Sequence, residues 1–215
     1  MKTLSISGRE GKIEALLDAP KVSAFDDISV VSCHPHPLYQ GTMHNKVIST
    51  ISRSFNTLGI EVIRFNYRGV GQSEGVYGQG EGEVEDALSV IDFIRQEKPK
   101  QKIILAGFSF GGAVAYKAQS KRDNILSLLT IAPAVVNFPL KEFQVPSMPW
   151  CVIQGTDDEV VDPTAVFSFS ALESKAPCHI IKLNEVGHFF HGKLIELRNE
   201  INAYYQPRLP LWNNK

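Results

Sequence analysis

KIILAGFSFGGAVAYKAQ (102–119) decides the fold: a run of apolar and β-branched residues passes through Gly107, Phe108, Ser109, Phe110 and Gly111 into a stretch of small residues with helical character. An apolar strand that turns within a GxSxG into a helix is the sequence form of a nucleophile elbow. The turn is sharp, so the serine takes unfavourable dihedrals, and glycines stand where neighbouring backbone comes close. A helix that begins at this point aims backbone N–H groups at charge developing on the serine's substrate.

The pattern repeats outward from this stretch. Apolar runs at 28–33, 60–65, 126–132, 150–155 and 178–183 are apolar nearly throughout, which suits strands covered on both faces in a parallel sheet. Between them, 45–59, 81–98, 110–121 and 163–175 have helical spacing, with Gly59 at a C-cap position and Pro99 as a stop. Segments 3–7 and 12–18 read as an antiparallel hairpin turning near Gly8 and Gly11, and the tail QPRLPLWNNK (206–215) as a surface segment after the last helix. The prediction is an α/β domain with a doubly wound, mostly parallel sheet, occupying 1–215 as one unit.

Composition narrows the function classes. Lys and Arg total 22 against 23 Asp and Glu, so no net field draws the chain to nucleic acid or an anionic membrane. The N-terminus lacks the apolar core of a signal peptide and no run approaches membrane-spanning length, so a cytoplasmic protein is expected. Cys33, Cys151 and Cys178 are odd in number and sit in apolar stretches, which predicts buried free thiols rather than a catalytic cysteine.

A serine needs a base, and the base needs an orienting acid. Two strand-end segments follow the elbow in the order acid then base: GTDDEVVD (155–162) and NEVGHFFHG (184–192). His188 is the predicted base, ahead of His191, which reads as the start of the final helix. Asp157, Asp158, Glu159 and Asp162 crowd one turn; the spacing Gly155, Asp158, Val161 puts Asp158 first and Asp157 next. The oxyanion hole takes one donor from the residue after the nucleophile, Phe110, and one from HPHPLYQGTMHNK (34–46). Pro35 and Pro37 have no N–H, leaving His36, then Leu38, with Tyr39 also open. A zinc site on His34, His36, His188 and His191 is the alternative, but no carboxylate or cysteine ligand spacing accompanies these histidines, so neither metal nor cofactor is expected. In FNYRGVGQSEG (65–75), Arg68, Gly69 and Gly71 read as a structural turn, not a phosphate cradle.

Taken together, HPHPLYQGTMHNKV, FNYRGVGQSEG, GFSFGG, GTDDEVV and GHFFHG resemble the short, nearly capless α/β-hydrolases of the dienelactone hydrolase type, over about residues 28–192. The resemblance implies a triad of Ser109, Asp158 and His188. The sequence departs from that group at Gln40, where a second glycine usually precedes Gly41. Only PAVVNFPLKEFQVPSMP (133–149) stands where larger relatives carry a lid, with Phe138, Leu140 and Phe143 as wall or core residues. The expected activity is hydrolysis of a small acyl ester or thioester through an acyl-enzyme. A noncatalytic binding protein on the same fold, and a peptidase, are the alternatives.

Overall fold

The computed structural model describes residues 1–136, 138, 140, 144–172 and 178–213, with side chains undescribed at Leu172 and Asn213. Among the described residues eight strands form one sheet: β1 (Lys2–Gly8), β2 (Gly11–Asp18), β3 (Ile28–Cys33), β4 (Glu61–Phe65), β5 (Lys102–Phe108), β6 (Ile125–Ile131), β7 (Trp150–Gly155) and β8 (Cys178–Leu183). Their spatial order is β1-β2-β4-β3-β5-β6-β7-β8. β1 and β2 pair antiparallel, β2 meets β4 antiparallel, and every pairing from β4 to β8 is parallel. The helices are α1 (Lys46–Thr57), α2 (Glu81–Glu97), α3 (Phe110–Gln119), α4 (Pro163–Leu172), α5 (Leu194–Tyr205) and α6 (Leu209–Asn213).

The unbroken apolar runs follow from two-sided coverage, because strand side chains alternate between faces. In β5, Ile103 and Leu105 enter a core beneath α2, α3 and α4, while Ile104, Ala106 and Phe108 enter the opposite core beneath α1 and α5. β7 divides the same way, with Trp150 and Val152 on the first face and Cys151 and Ile153 on the second. No helix among the described residues is long and apolar enough to cross a membrane.

Two expectations need correction. The C-terminal segment is not a loose surface tail: it turns into α6, buries Leu209, stacks Trp212 on Tyr205 at 6.1 Å, and accepts a hydrogen bond from Lys102 Nζ at the Trp212 carbonyl (2.9 Å). Its apolar Leu209 and Trp212 cap the core under α5, which outweighs the proline-rich local composition. His191 does not begin the last helix but lies three residues before it, in an exposed turn. Of helix 163–175, residues 173–175 lie outside the described residues, as does Phe143.

The connection from β4 to α2 begins on two left-handed glycines and is tied down by a buried ion pair. Gly69 and Gly71 adopt φ of 73° and 58°, the region that the RGxGxS turn demands. Arg68 locks the segment to α2: its Nη2 and Nε donate to Asp86 Oδ1 at 2.8 and 3.0 Å, and its own backbone N–H donates to Asp86 Oδ2 at 2.8 Å. Burial raises the Asp86 carboxyl above its ordinary value even against the opposing pull of Arg68. Because removing one partner strands the other charge in a buried site, Arg68→Leu is expected to cost about 3–5 kcal/mol, read as a lower urea midpoint.

Candidate active site

Strand β5 delivers Ser109 at φ 55°, ψ −119°, a conformation held from three sides. The Ser109 N–H donates to Ile131 O (2.9 Å), and the Ser109 carbonyl accepts from Gly112 N (2.9 Å) and Ala134 N (3.1 Å). The glycines of the motif are required by contact rather than by dihedral: a Cβ on Gly107 would stand 2.1 Å from Gly111 O, and one on Gly111 would stand 2.1 Å from Cys33 O. The helix therefore lies directly on the end of β3.

The loops after β7 and β8 bring the other two residues to the serine. His188 Nε2 lies 3.0 Å from Ser109 Oγ, and His188 Nδ1 lies 2.8 Å from Asp158 Oδ2. A carboxylate can only accept, so Nδ1 carries the proton and Nε2 offers its lone pair to the serine hydroxyl. Asp158 is saturated with donors: Gln154 Nε2 reaches Oδ2 at 2.9 Å, while the Val160 and Val161 N–H groups reach Oδ1 at 2.9 and 2.7 Å. Burial alone would raise its carboxyl, but the bonds from His188 and the two backbone N–H groups outweigh it and hold Asp158 below the ordinary carboxylate value. The imidazole lies against Phe108, ring centroids 5.0 Å apart, and is almost wholly shielded from water.

The four acids of the turn have separate tasks. Asp157 is exposed and accepts only from the neighbouring Thr156 hydroxyl among the described residues; Asp162 accepts from Thr164 N at the start of α4; Glu159 Oε2 accepts from the His188 backbone N–H at 3.1 Å. Gly155 adds a contact between the acid and base loops, since a Cβ there would meet Val186 O at 2.1 Å. Sequence reasoning missed Gln154 and the Glu159 tie to the His188 backbone. Gln154 had a signal, as a glutamine inside an otherwise apolar strand end.

On the other side of the serine, the segment after β3 forms a short 3-10 turn at Pro37–Tyr39 capped by His36. Of the three N–H groups left open by the prolines, two are spent: Leu38 N donates to His36 Nδ1 (3.2 Å) and Tyr39 N to His36 O (3.1 Å). This argues against Leu38 and Tyr39 as oxyanion donors and leaves the His36 N–H. Phe110 opens α3, where the first N–H groups have no partner within the helix. Gln40 has φ 60°, ψ 22°, a left-handed backbone in which glycine is unstrained. Gly41 is fixed by crowding, its absent Cβ falling 2.1 Å from Pro35 O.

His34 belongs to the scaffold. Its Nδ1 donates to Pro35 O (2.6 Å) and its Nε2 accepts from Tyr67 N (3.2 Å), so both nitrogens are occupied, and burial pushes its pKa down to about 3. With His34 spent and His191 exposed, the described residues hold no cluster of three or more metal-ligating side chains. Burial pushes the Cys33 and Cys178 thiols up to about 12 and Cys151 higher still, which keeps all three protonated at neutral pH.

The chain is similar to several known proteins. Residues 41–145 match the family described as serine aminopeptidase, S33. An uncharacterized protein, RP471, from Rickettsia prowazekii is 34% identical, with 95% of this chain and 88% of that one covered. The solved structure of an α/β serine hydrolase homologue from Coxiella burnetii is 36% identical with a TM-score of 0.89, covering 94% of this chain and 96% of that one. XC6422 from Xanthomonas campestris, described as an α/β serine hydrolase without lid, is 35% identical with a TM-score of 0.88, covering 94% and 92%.

The backbone contact at the elbow yields a stability test. Gly111→Ala must push α3 off β3 because the obstacle is a carbonyl, and overpacking of this kind costs about 1–3 kcal/mol. At roughly 2–4 °C per kcal/mol for a chain of this size, the melting midpoint is expected to fall by about 2–12 °C in a thermal scan.

Proposed function

The chain belongs to the α/β serine hydrolases, and from that premise we propose that it hydrolyses small acyl esters or thioesters through an acyl-enzyme on Ser109. The observation that carries the reading is the continuous hydrogen-bonded line from Ser109 Oγ through His188 to Asp158. His188 Nε2 takes the hydroxyl proton as Oγ bonds to the acyl carbon, and the carbonyl oxygen becomes an oxyanion. The N–H groups of Phe110 and His36 receive that charge; both are held in place before substrate arrives, so they stabilise the anion without reorganising. His188 then hands its proton to the departing alkoxide or thiolate. Water, deprotonated by the same nitrogen, attacks the acyl carbon, and the acid leaves as Oγ recovers its proton.

Asp158 keeps the imidazole in the tautomer that can accept at Nε2 and balances the imidazolium formed in each half-reaction. Its depressed pKa means that it stays ionised as pH falls, so the acid keeps orienting the imidazole in mildly acidic solution. An ester or thioester is favoured over a peptide with a free amino terminus, because that substrate needs a carboxylate for its ammonium. The buried carboxylate whose charge reaches His36 and Tyr77 is Glu83, and both its oxygens are already taken by the N–H groups of Gly78 (2.8 Å) and Gly80 (2.7 Å).

The test is covalent labelling with a fluorophosphonate probe, followed by ester kinetics. Wild type is expected to label on Ser109, and Ser109→Ala not at all; no labelling of folded wild type would overturn the reading. Asp158→Asn is expected to lower kcat on a 4-nitrophenyl ester by about 10³–10⁴-fold, as loss of the orienting acid does elsewhere. Asp157→Asn should stay within about threefold, since its exposed carboxylate makes a contact of little energetic weight.

A further inference from the structure

His36 lies at the meeting point of an aromatic group beside the serine. Its ring centroid is 4.8 Å from Phe110, 5.2 Å from Tyr77 and 4.9 Å from Tyr39. The hydrogen bonds of this ring fix where its proton is. Nδ1 accepts the Leu38 backbone N–H at 3.2 Å, and a backbone N–H can only donate, so Nδ1 has no hydrogen. Burial disfavours the imidazolium against the opposing charge of Glu83. The neutral ring then carries its hydrogen on Nε2 and donates it to the Tyr77 hydroxyl oxygen, 3.1 Å away.

That assignment leaves the Tyr77 proton unspent. Tyr77 Oη accepts from His36, and among the described residues no acceptor takes its hydrogen. The phenol is half-buried, and burial, with the nearby charges of Glu83 and Tyr39, raises its pKa, so it is a donor at neutral pH. It is also held still. Glu83 grips the N–H groups of Gly78 and Gly80 on one side, and Arg68 is anchored to Asp86 on the other. A fixed, half-exposed O–H donor on the His36 face of the nucleophile has a limited choice of partner. The leaving group must face His188 to receive its proton and the carbonyl oxygen is taken by the Phe110 and His36 N–H groups, so the arm of the substrate left for Tyr77 is the acyl substituent.

We infer that Tyr77 is a specificity-determining residue that donates a hydrogen bond to an oxygen in the acyl chain close to the scissile carbonyl, selecting oxygen-bearing acyl groups over plain alkyl ones. This rests on the acyl-transfer reading above. The matched probes are 4-nitrophenyl methoxyacetate and 4-nitrophenyl butyrate, whose acyl chains are equal in length and differ by an oxygen in place of a methylene.

Tyr77→Phe keeps the ring and its stacking but removes the acceptor of the His36 Nε2–H, so its thermal midpoint should stay within about 6 °C of wild type. The kcat/KM for methoxyacetate is expected to fall about 3–10-fold, mostly through KM, the size of one neutral hydrogen bond, while that for butyrate stays within about twofold. Comparing each ester with itself across the two proteins removes the difference in intrinsic reactivity. Tyr39→Phe, at a side chain 83% exposed, should leave the ratio unchanged. Equal slowing of both esters in Tyr77→Phe, or no change in either, overturns the inference while wild-type turnover leaves acyl transfer standing. No wild-type turnover of either ester, together with an unlabelled Ser109, removes both.

Discussion

The structure turns on one close approach of backbone to backbone. The first turn of α3 lies on the carbonyl end of β3 with no room for a methyl group at Gly111, and the carbonyl of Gly111 closes in turn on Gly107. These contacts set the angle between strand and helix, force Ser109 into positive φ, and aim the start of the helix at the space above the sheet. Because β3 also ends here, the His36 turn is brought alongside Phe110. A small displacement at this junction would move the nucleophile and both proposed oxyanion donors together. The only side chains that permit the approach are hydrogens, which is why two glycines flank one strained serine.

Electrostatics at the site follow from unequal burial of groups that are chemically alike. Of the acids in the 155–162 turn, Asp158 alone is shielded and surrounded by donors, and it is held ionised by hydrogen bonds that outweigh the cost of burial. Among the histidines, His34 is committed on both nitrogens to the backbone, His36 on one nitrogen to a backbone N–H, and His188 to an acid and an alcohol. Identical side chains thus acquire different protonation by what each nitrogen faces. The tautomers of all three are determined by partners that can act in one direction only.

Much of this was legible in the sequence because the responsible signals are local. Unbroken apolar runs gave the parallel sheet, since each strand is covered on both faces. GxSxG between strand and helix gave the elbow, and the strand-end order of Asp158 and His188 gave their meeting. The oxyanion side was only half legible: prolines eliminated two N–H groups, but the loss of Leu38 and Tyr39 to His36 depends on how the 3-10 turn closes. Glu159 and Tyr77 were not legible at all, because their roles come from loops meeting across the sheet edge, and Gln154 showed only as a polar residue in an apolar strand end. The tail was misread for a similar reason: its local composition is that of a loop, and only the exposed flank of α5 gives Leu209 and Trp212 something to cover.

The site is divided between two stretches of chain. The serine, the His36 turn and Tyr77 all precede β6, whereas the base, its acid and the residues that hold them come after it, joined to the first set through the β5–β6 ladder and the Ser109 N–H to Ile131. On the proposed mechanism, the base and its acid are thereby housed apart from the surfaces that would meet the substrate's acyl arm. If so, substitutions in the 66–80 loop would alter which molecules are accepted without disturbing the acid–base pair. Such modularity is a route to evolvability: the chain can drift in diet while its chemistry stays constant.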